Sequence, residues 1–476
     1  MLRAADLNPR LARAEYAVRG PIVQRAQELE AGGRKIIYCN IGNPQALKQR
    51  PLTYLRQILS ILEYPEVLTR PSLRGEFPRD IVARAGDLLS LHPHGTGAYT
   101  QSPGILAVRR AVAEFIARRD GIPADGSSVI MTDGASKGAQ SVLMALLKNP
   151  GDGVMIPIPQ YPLYSATLSL YGGEAVGYEL DEENAWQLNE QILTRSWAEA
   201  KARGIRPVLL VVINPGNPTG AVLSPDNMRM IVAFAGRNGM AILADEVYQE
   251  NVYARGVAFH SFARVMHEMG ERGVSLFSIH SVSKGFLGEC GHRGGYLEIR
   301  NVEAEVLAQF IKLQSISLCA NVPGQFATYL MVAPPVPGDE SYGLYVRERD
   351  AILESLRRKA ELLGRAVNAV PGMHVEVPQG AMYAFVRFEL PPDRSVRVSA
   401  MSPGERAAWE ARRDEAYCMA LLEETGICVV PGSGFGQRAG TLHFRTTFLP
   451  PEEEIGEMVR ALRLFHEGYV RRLQDQ

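Results

Sequence analysis

A lysine stands among glycines and hydroxyls in Ser281-Val-Ser-Lys284-Gly-Phe-Leu-Gly-Glu-Cys-Gly-His-Arg293-Gly-Gly. An amine so placed has little to pack against and can reach into a cleft. Ser281, Ser283 and Arg293 are the groups a phosphate calls for: hydroxyl donors and a guanidinium that can bind it through two parallel hydrogen bonds. A lysine amine beside a phosphate site is the requirement for a Schiff base with pyridoxal phosphate. A solvated loop lysine would carry the same local signature, so this stretch alone leaves both readings open.

More chemistry-bearing residues follow apolar runs elsewhere. Asp133-Gly134-Ala135-Ser136 opens a helix after Ser128 to Thr132, and a helix start with free amides attracts anions. Tyr161, fixed between Gln160 and Pro162, could stack on a flat ring or pack in the core. Asn217 lies in Asn214-Pro-Gly-Asn217-Pro218-Thr219-Gly220, whose two Asn-Pro steps constrain the backbone before the next helix. Asp245 closes the apolar run Ala241 to Ala244, and a carboxylate there is costly unless paired with a cation or a protonated ring nitrogen. Ile41-Gly42-Asn43-Pro44 forces a turn that exposes amides, as a plain loop or as part of a site. Tyr99, in the glycine-rich Gly95 to Gly104, can point into a neighbour or a site.

Positioning these residues requires a sheet. Residues 128–132, 154–159, 207–213, 241–244 and 274–279 read as strands separated by helical segments, and the fully apolar 207–213 suits a central parallel strand. In a parallel α/β sheet, ligands bind in the crevice beyond the carboxyl ends of the strands, so Ser136, Tyr161, Asn217, Asp245 and Lys284 are expected to converge there. Outside this sheet the pattern predicts a helix over Pro21 to Ala31 and another over Ile105 to Arg118. It predicts a long one from about Tyr345 to Ala369 and a terminal one over Glu452 to Gln474. Residues 373–377, 380–387, 427–430 and 441–445 read as short strands, the last ending at Arg445 with no acidic neighbour. The proline-rich Ala333 to Glu340 is a candidate domain boundary, and residues 391–408 read as a surface excursion.

A chain of 476 residues is too long for one core, so two or three domains are expected. Apolar content of 46% and charged content of 22% are those of an ordinary globular chain, and a net charge of −1 points to neither nucleic acid nor an acidic membrane. The five cysteines are scattered without a CxxC pair, and no HExxH pattern occurs, so neither a disulfide framework nor a metal site is expected. No run approaches the roughly 18 apolar residues of a membrane helix. Met1 to Asp6 lacks a hydrophobic signal core and the last residues, to Gln476, match no address, so a cytoplasmic location is expected.

Taken together, Tyr99, Gly134-Ala135-Ser136, Tyr161, Asn217-Pro-Thr-Gly220, Asp245-Glu-Val-Tyr248, Ser281-Val-Ser-Lys284, Arg293 and Arg445 resemble the class I/II, fold-type I pyridoxal-phosphate aminotransferases in order and spacing over nearly the whole chain. Asn8-Pro9, the stretch Glu15 to Arg25, Asn40 to Pro44, Arg50 to Tyr54 and Ser283 to Tyr296 look like the alanine aminotransferase branch, which includes plant glutamate–glyoxylate enzymes.

The resemblance implies an α/β fold with a large domain, residues 76–332, whose mostly parallel seven-stranded sheet is sandwiched by helices. A smaller α+β domain would be built from 333–476 and from part of 1–75, which also supplies an N-terminal arm. It implies that Lys284 holds the cofactor as a Schiff base and shuttles the proton, and that Asp245 pairs with the ring nitrogen. Asn217 and Tyr248 would bond the ring oxygen, with Tyr161 stacked on the ring. Gly134, Ala135, Ser136, Ser281 and Arg293 would hold the phosphate. Tyr99 would reach the phosphate of a neighbouring subunit, which implies a homodimer with shared sites. Gly42, Asn217 and Arg445 would meet the substrate, an amino acid or 2-oxo acid. The implied reaction is ping-pong exchange between L-alanine and 2-oxoglutarate. Exchange with glyoxylate, a C–S lyase on the same scaffold and a non-catalytic regulator stay open. No second arginine can be assigned by spacing to the distal carboxylate of 2-oxoglutarate.

Overall fold

The computed structural model describes residues 2–3 and 6–475. Met1, Ala4, Ala5 and Gln476, parts of the terminal stretches read above as carrying no address, lie outside the described residues. A helix over Pro21–Ala31 leads to a short strand, β1 (Ile37–Tyr38). Seven strands then form one sheet: β2 (Val129–Asp133), β3 (Asp152–Ile158), β4 (Glu174–Glu179), β5 (Arg206–Ile213), β6 (Ala241–Asp245), β7 (Leu276–Ser281) and β8 (Gly294–Arg300). Their order across the sheet is β2-β8-β7-β6-β5-β3-β4. All neighbours run parallel except β8, which is antiparallel to both β2 and β7.

The composition of β5 explains its central place. Leu209 and Val211 face one layer, packing with Val142 and Leu143 of the helix Ala135–Leu146. Leu210 and Val212 face the other, packing with Ile231 and Phe234 of the helix Pro225–Arg237. With helices on both faces neither side can be polar, and each such buried side chain contributes about 1.5–3 kcal/mol. The register sets Asp245 level with Ile213 on β5 and Ile279 on β7, so the carboxyl ends of three adjacent strands lie side by side.

The remaining strands are β9 (Met373–His374), β10 (Tyr383–Phe388), β11 (Ile427–Cys428), β12 (Val430–Pro431) and β13 (His443–Thr447). They make a four-stranded antiparallel sheet, β12-β13-β10-β9, while β11 pairs in parallel with β1. The helices Tyr342–Asn368, Arg413–Thr425 and Glu452–Gln474 flank this sheet and share its core, to which Ile22, Ala26 and Cys39 also contribute. Leu52, Leu55 and Ile58 pack instead with Val108, Val129 and Phe326. Side-chain packing therefore divides the segment 1–75 between Cys39 and Leu52.

Two strands escaped the sequence pattern. β4 is an edge strand with exposed Glu174 and Ala175, and β8 begins inside the glycine-rich stretch after Arg293. The excursion 391–408 contains helical turns, Val396–Ser399 and the start of Pro403–Ala411, the latter opened by a Ser402–Glu405 capping box.

Candidate active site

A cavity of about 470 Å³ opens where the carboxyl ends of the central strands meet the four-stranded sheet. Gly42, Ala135, Ser136, Tyr161, Asn217, Asp245, Tyr248, Ser281, Lys284, Arg293 and Arg445 all line it. Gly134 adjoins the lining through Ala135, and Tyr99 lies elsewhere on the surface, 75% exposed.

Asp245 ends β6 and is only 5% exposed. The hydroxyl of Tyr164, itself fully buried, donates to Asp245 Oδ2 at 2.7 Å. Oδ1 is buried without a partner. Burial pushes this carboxyl up to about 6, against the opposing pull of the Tyr164 hydroxyl, the Val247 amide and the Lys284 cation. An orphaned acceptor aimed into a cavity calls for a donor from a ligand.

Lys284 lies just past β7. Its Nζ donates to Gly42 O at 2.9 Å and stands 5.8 Å from the Tyr248 ring centre. A Cβ on Gly42 would overlap the Tyr383 hydroxyl and come within 3.3 Å of Nζ, so only glycine fits there. Tyr383, from β10, shares a hydrogen bond with Tyr248. Burial raises the Tyr383 hydroxyl, but the cations of Lys284 and Arg445, with the Tyr248 hydroxyl, draw it below the usual phenol range.

At the other end, Gly134 takes φ +76° to start the helix Ala135–Leu146, which has no side-chain cap. A Cβ on Gly134 would strike the Arg293 guanidinium. Arg293 is held over this turn by donating to Cys290 O and Asp133 O, both at 3.1 Å. The uncapped amides of Ala135 and Ser136, the Ser281 hydroxyl and the Arg293 guanidinium thus face one corner, a cradle for a phosphate.

Arg445, on β13, is 1% exposed. Nη1 donates to Asn217 Oδ1 at 3.2 Å, Nη2 to Asn40 O, and Nε is buried with no partner. Its guanidinium stacks 4.2 Å from the Tyr383 ring centre and 4.7 Å from that of Phe435. A buried cation with an unused donor is suited to a carboxylate.

These groups fit pyridoxal phosphate: a corner of donors for its phosphate, an amine for its aldehyde, and an orphaned carboxylate oxygen to accept from a protonated ring nitrogen. Sequence reasoning missed Tyr383, Tyr164, Cys290, Tyr16, Val18 and Arg19, of which all but Tyr164 line the cavity. Tyr164 follows Tyr161 by three residues and sits in the first turn of the helix Leu163–Tyr171. The others arrive from the two ends of the chain or from the loop beyond Lys284.

Known proteins resemble this chain throughout its length. The family profile described as "Aminotransferase class I and II" matches residues 73–462. The probable mitochondrial alanine aminotransferase of Dictyostelium discoideum is 48% identical over 473 residues, covering 96% of this chain and 87% of its own. Glutamate–glyoxylate aminotransferase 1 of Arabidopsis thaliana is 45% identical over 475 residues, covering 98% of this chain and 97% of its own. Among solved structures, the alanine aminotransferase from Pyrococcus furiosus superposes with a TM-score of 0.76 at 25% identity, over 97% of this chain and 100% of that one.

Proposed function

This chain belongs to the class I and II aminotransferases, and from that premise we propose that it transfers the amino group of L-alanine to 2-oxoglutarate, forming pyruvate and L-glutamate. The chemistry is carried by one observation: the Lys284 amine and the unpartnered Asp245 Oδ1 line the same cavity. The choice of alanine is supported by the likeness to alanine aminotransferases across the whole chain. Exchange with glyoxylate is the second reading, favoured by the Arabidopsis relative.

Bound in this site, pyridoxal phosphate supplies an aldehyde that accepts the amino group and an electron-poor ring that eases loss of the substrate Cα proton. On this reading Ala135 and Ser136 amides, Ser281 and Arg293 hold its phosphate, Tyr161 packs on its ring, and Asn217 and Tyr248 meet its phenolic oxygen. Asp245 Oδ1 accepts from the ring nitrogen and keeps it protonated. Arg445 grips the substrate carboxylate through the fork of its guanidinium, which fixes the amino acid against Lys284. Lys284 Nζ takes the Cα proton and returns it at the end of the half-reaction. Gly42 leaves the room that a side chain would deny to Nζ and the Tyr383 hydroxyl.

The same reading makes the enzyme a homodimer whose sites are shared. Tyr99 supports this: a tyrosine 75% exposed and away from its own cavity is available to a neighbouring copy. We place the enzyme in the cytoplasm, a reducing compartment consistent with five free cysteines. Among the described residues no helix is long and apolar enough to cross a membrane.

A panel of amino donors against 2-oxoglutarate, pyruvate, glyoxylate and oxaloacetate tests the substrate pair. Alanine with 2-oxoglutarate should give the highest kcat/KM. A higher value with glyoxylate would move the assignment to the second reading, and release of a 2-oxo acid without any acceptor would replace it with a lyase.

A further inference from the structure

Four cations line the cavity: Arg19, Lys284, Arg293 and Arg445. Three are engaged, Lys284 with Gly42, Arg293 with Cys290 and Asp133, and Arg445 with Asn40 and Asn217. The exposed Arg19 guanidinium makes no hydrogen bond or ion pair with any described residue.

The backbone that carries Arg19 is nevertheless anchored. The Tyr16 and Tyr161 hydroxyls lie 2.7 Å apart, and Arg19 N donates to Tyr16 O at 3.1 Å. Val18, 4% exposed, packs in a cluster with Trp186, Phe385 and Phe435. Phe435 also lies under the Arg445 guanidinium, at 4.7 Å. One apolar wall therefore carries two guanidiniums, Arg445 sealed within it and Arg19 at the open side.

Glutamate and 2-oxoglutarate bring a second carboxylate that alanine and pyruvate lack, and stripping water from that charge is costly unless a cation meets it. If Arg445 takes the carboxylate next to the reacting carbon, as proposed above, Arg19 is the cation left for the other. We infer that Arg19 receives the distal carboxylate of five-carbon dicarboxylate substrates. Having no partner of its own, it can close on glutamate and swing into solvent for alanine, so one site reads both.

The test uses the cofactor-loaded enzyme with Arg19→Gln and Arg19→Lys. Binding of glutarate and of butyrate, which differ by one carboxylate, is measured by calorimetry at about 0.15 M salt, where long-range attraction is screened. KM values for glutamate, 2-oxoglutarate, alanine and pyruvate are measured alongside. Arg19→Gln should weaken glutarate, glutamate and 2-oxoglutarate by about 10- to 100-fold, as loss of a charge-assisted hydrogen-bonded pair implies. Butyrate, alanine and pyruvate should move by several-fold less. Arg19→Lys should fall between, because it keeps the charge and loses the fork. Cofactor absorbance and melting temperature check that each variant is assembled. Equal weakening of mono- and dicarboxylates, or unchanged glutarate binding, would overturn the inference. The glutarate–butyrate contrast decides it even if the wild type proves not to use alanine, so its failure and that of the proposed reaction are separable.

Discussion

The Tyr164 hydroxyl donates to Asp245 Oδ2 at 2.7 Å and leaves Oδ1 of the same carboxylate unpartnered. One oxygen is thereby fixed by the protein and the other is left for a ligand. Tyr164 touches no substrate on this geometry; it positions Asp245. Tyr164→Phe should lower kcat/KM by roughly 10- to 100-fold, as a hydrogen bond to a charged group implies. It should also shift the pH titration of the bound cofactor's absorbance. If only melting temperature changes and the absorbance titration does not move, the tyrosine is purely structural.

Asp245 also makes stability depend on pH. In the unfolded chain its carboxyl ionises near 4, whereas in the cofactor-free fold burial holds it at about 6. Between these values the folded state keeps a proton that the unfolded state has lost. The cost is absent below pH of about 4, grows to pH of about 6 and is complete above it, at about 3 kcal/mol. Cofactor-free Asp245→Asn should therefore melt above cofactor-free wild type at pH of about 7.5, with the gap closing by about 4. With cofactor bound the order should reverse at neutral pH, because the charged carboxylate then has its cation.

Lys284→Ala removes the amine that holds the aldehyde and moves the proton. The purified variant should lack the absorbance of covalently held cofactor, and turnover should fall by several orders of magnitude. Turnover near the wild-type rate would refute the assignment of this lysine.

Gly42→Ala places a methyl group against the Tyr383 hydroxyl and 3.3 Å from Lys284 Nζ. Displacing the hydroxyl by about 1 Å or more, as so close an approach requires, or crowding Nζ should lower kcat by up to about 100-fold. Cofactor affinity, governed by the phosphate corner on the far side, should change little. Pre-steady-state measurement of the alanine half-reaction separates the two effects.

Arg445→Lys keeps a charge and loses the second prong. KM for amino acids should rise by roughly tenfold or more while the cofactor's dissociation constant stays within a few-fold. Equal loss of both would mean that Arg445 shapes the whole site through Tyr383 and Phe435.

Much of this site could be read along the chain. Apolar strands followed by Asp245, Asn217 or Lys284 are local patterns, because a strand buried on both faces tolerates a polar group only where it emerges. The helix start at Gly134 is local too, since only glycine adopts its φ of +76° without strain. The sequence by itself thus determined the layered α/β architecture, the strand ends and the residues that crowd them. It could not determine what the distant segments contribute. Tyr383 reaches Lys284 through β10, Arg445 donates to Asn40 across 405 positions, and Arg19 is seated by Val18 against Phe435. Those meetings depend on which sheet faces which, a matter of packing between elements far apart in the chain, and local periodicity holds no record of it.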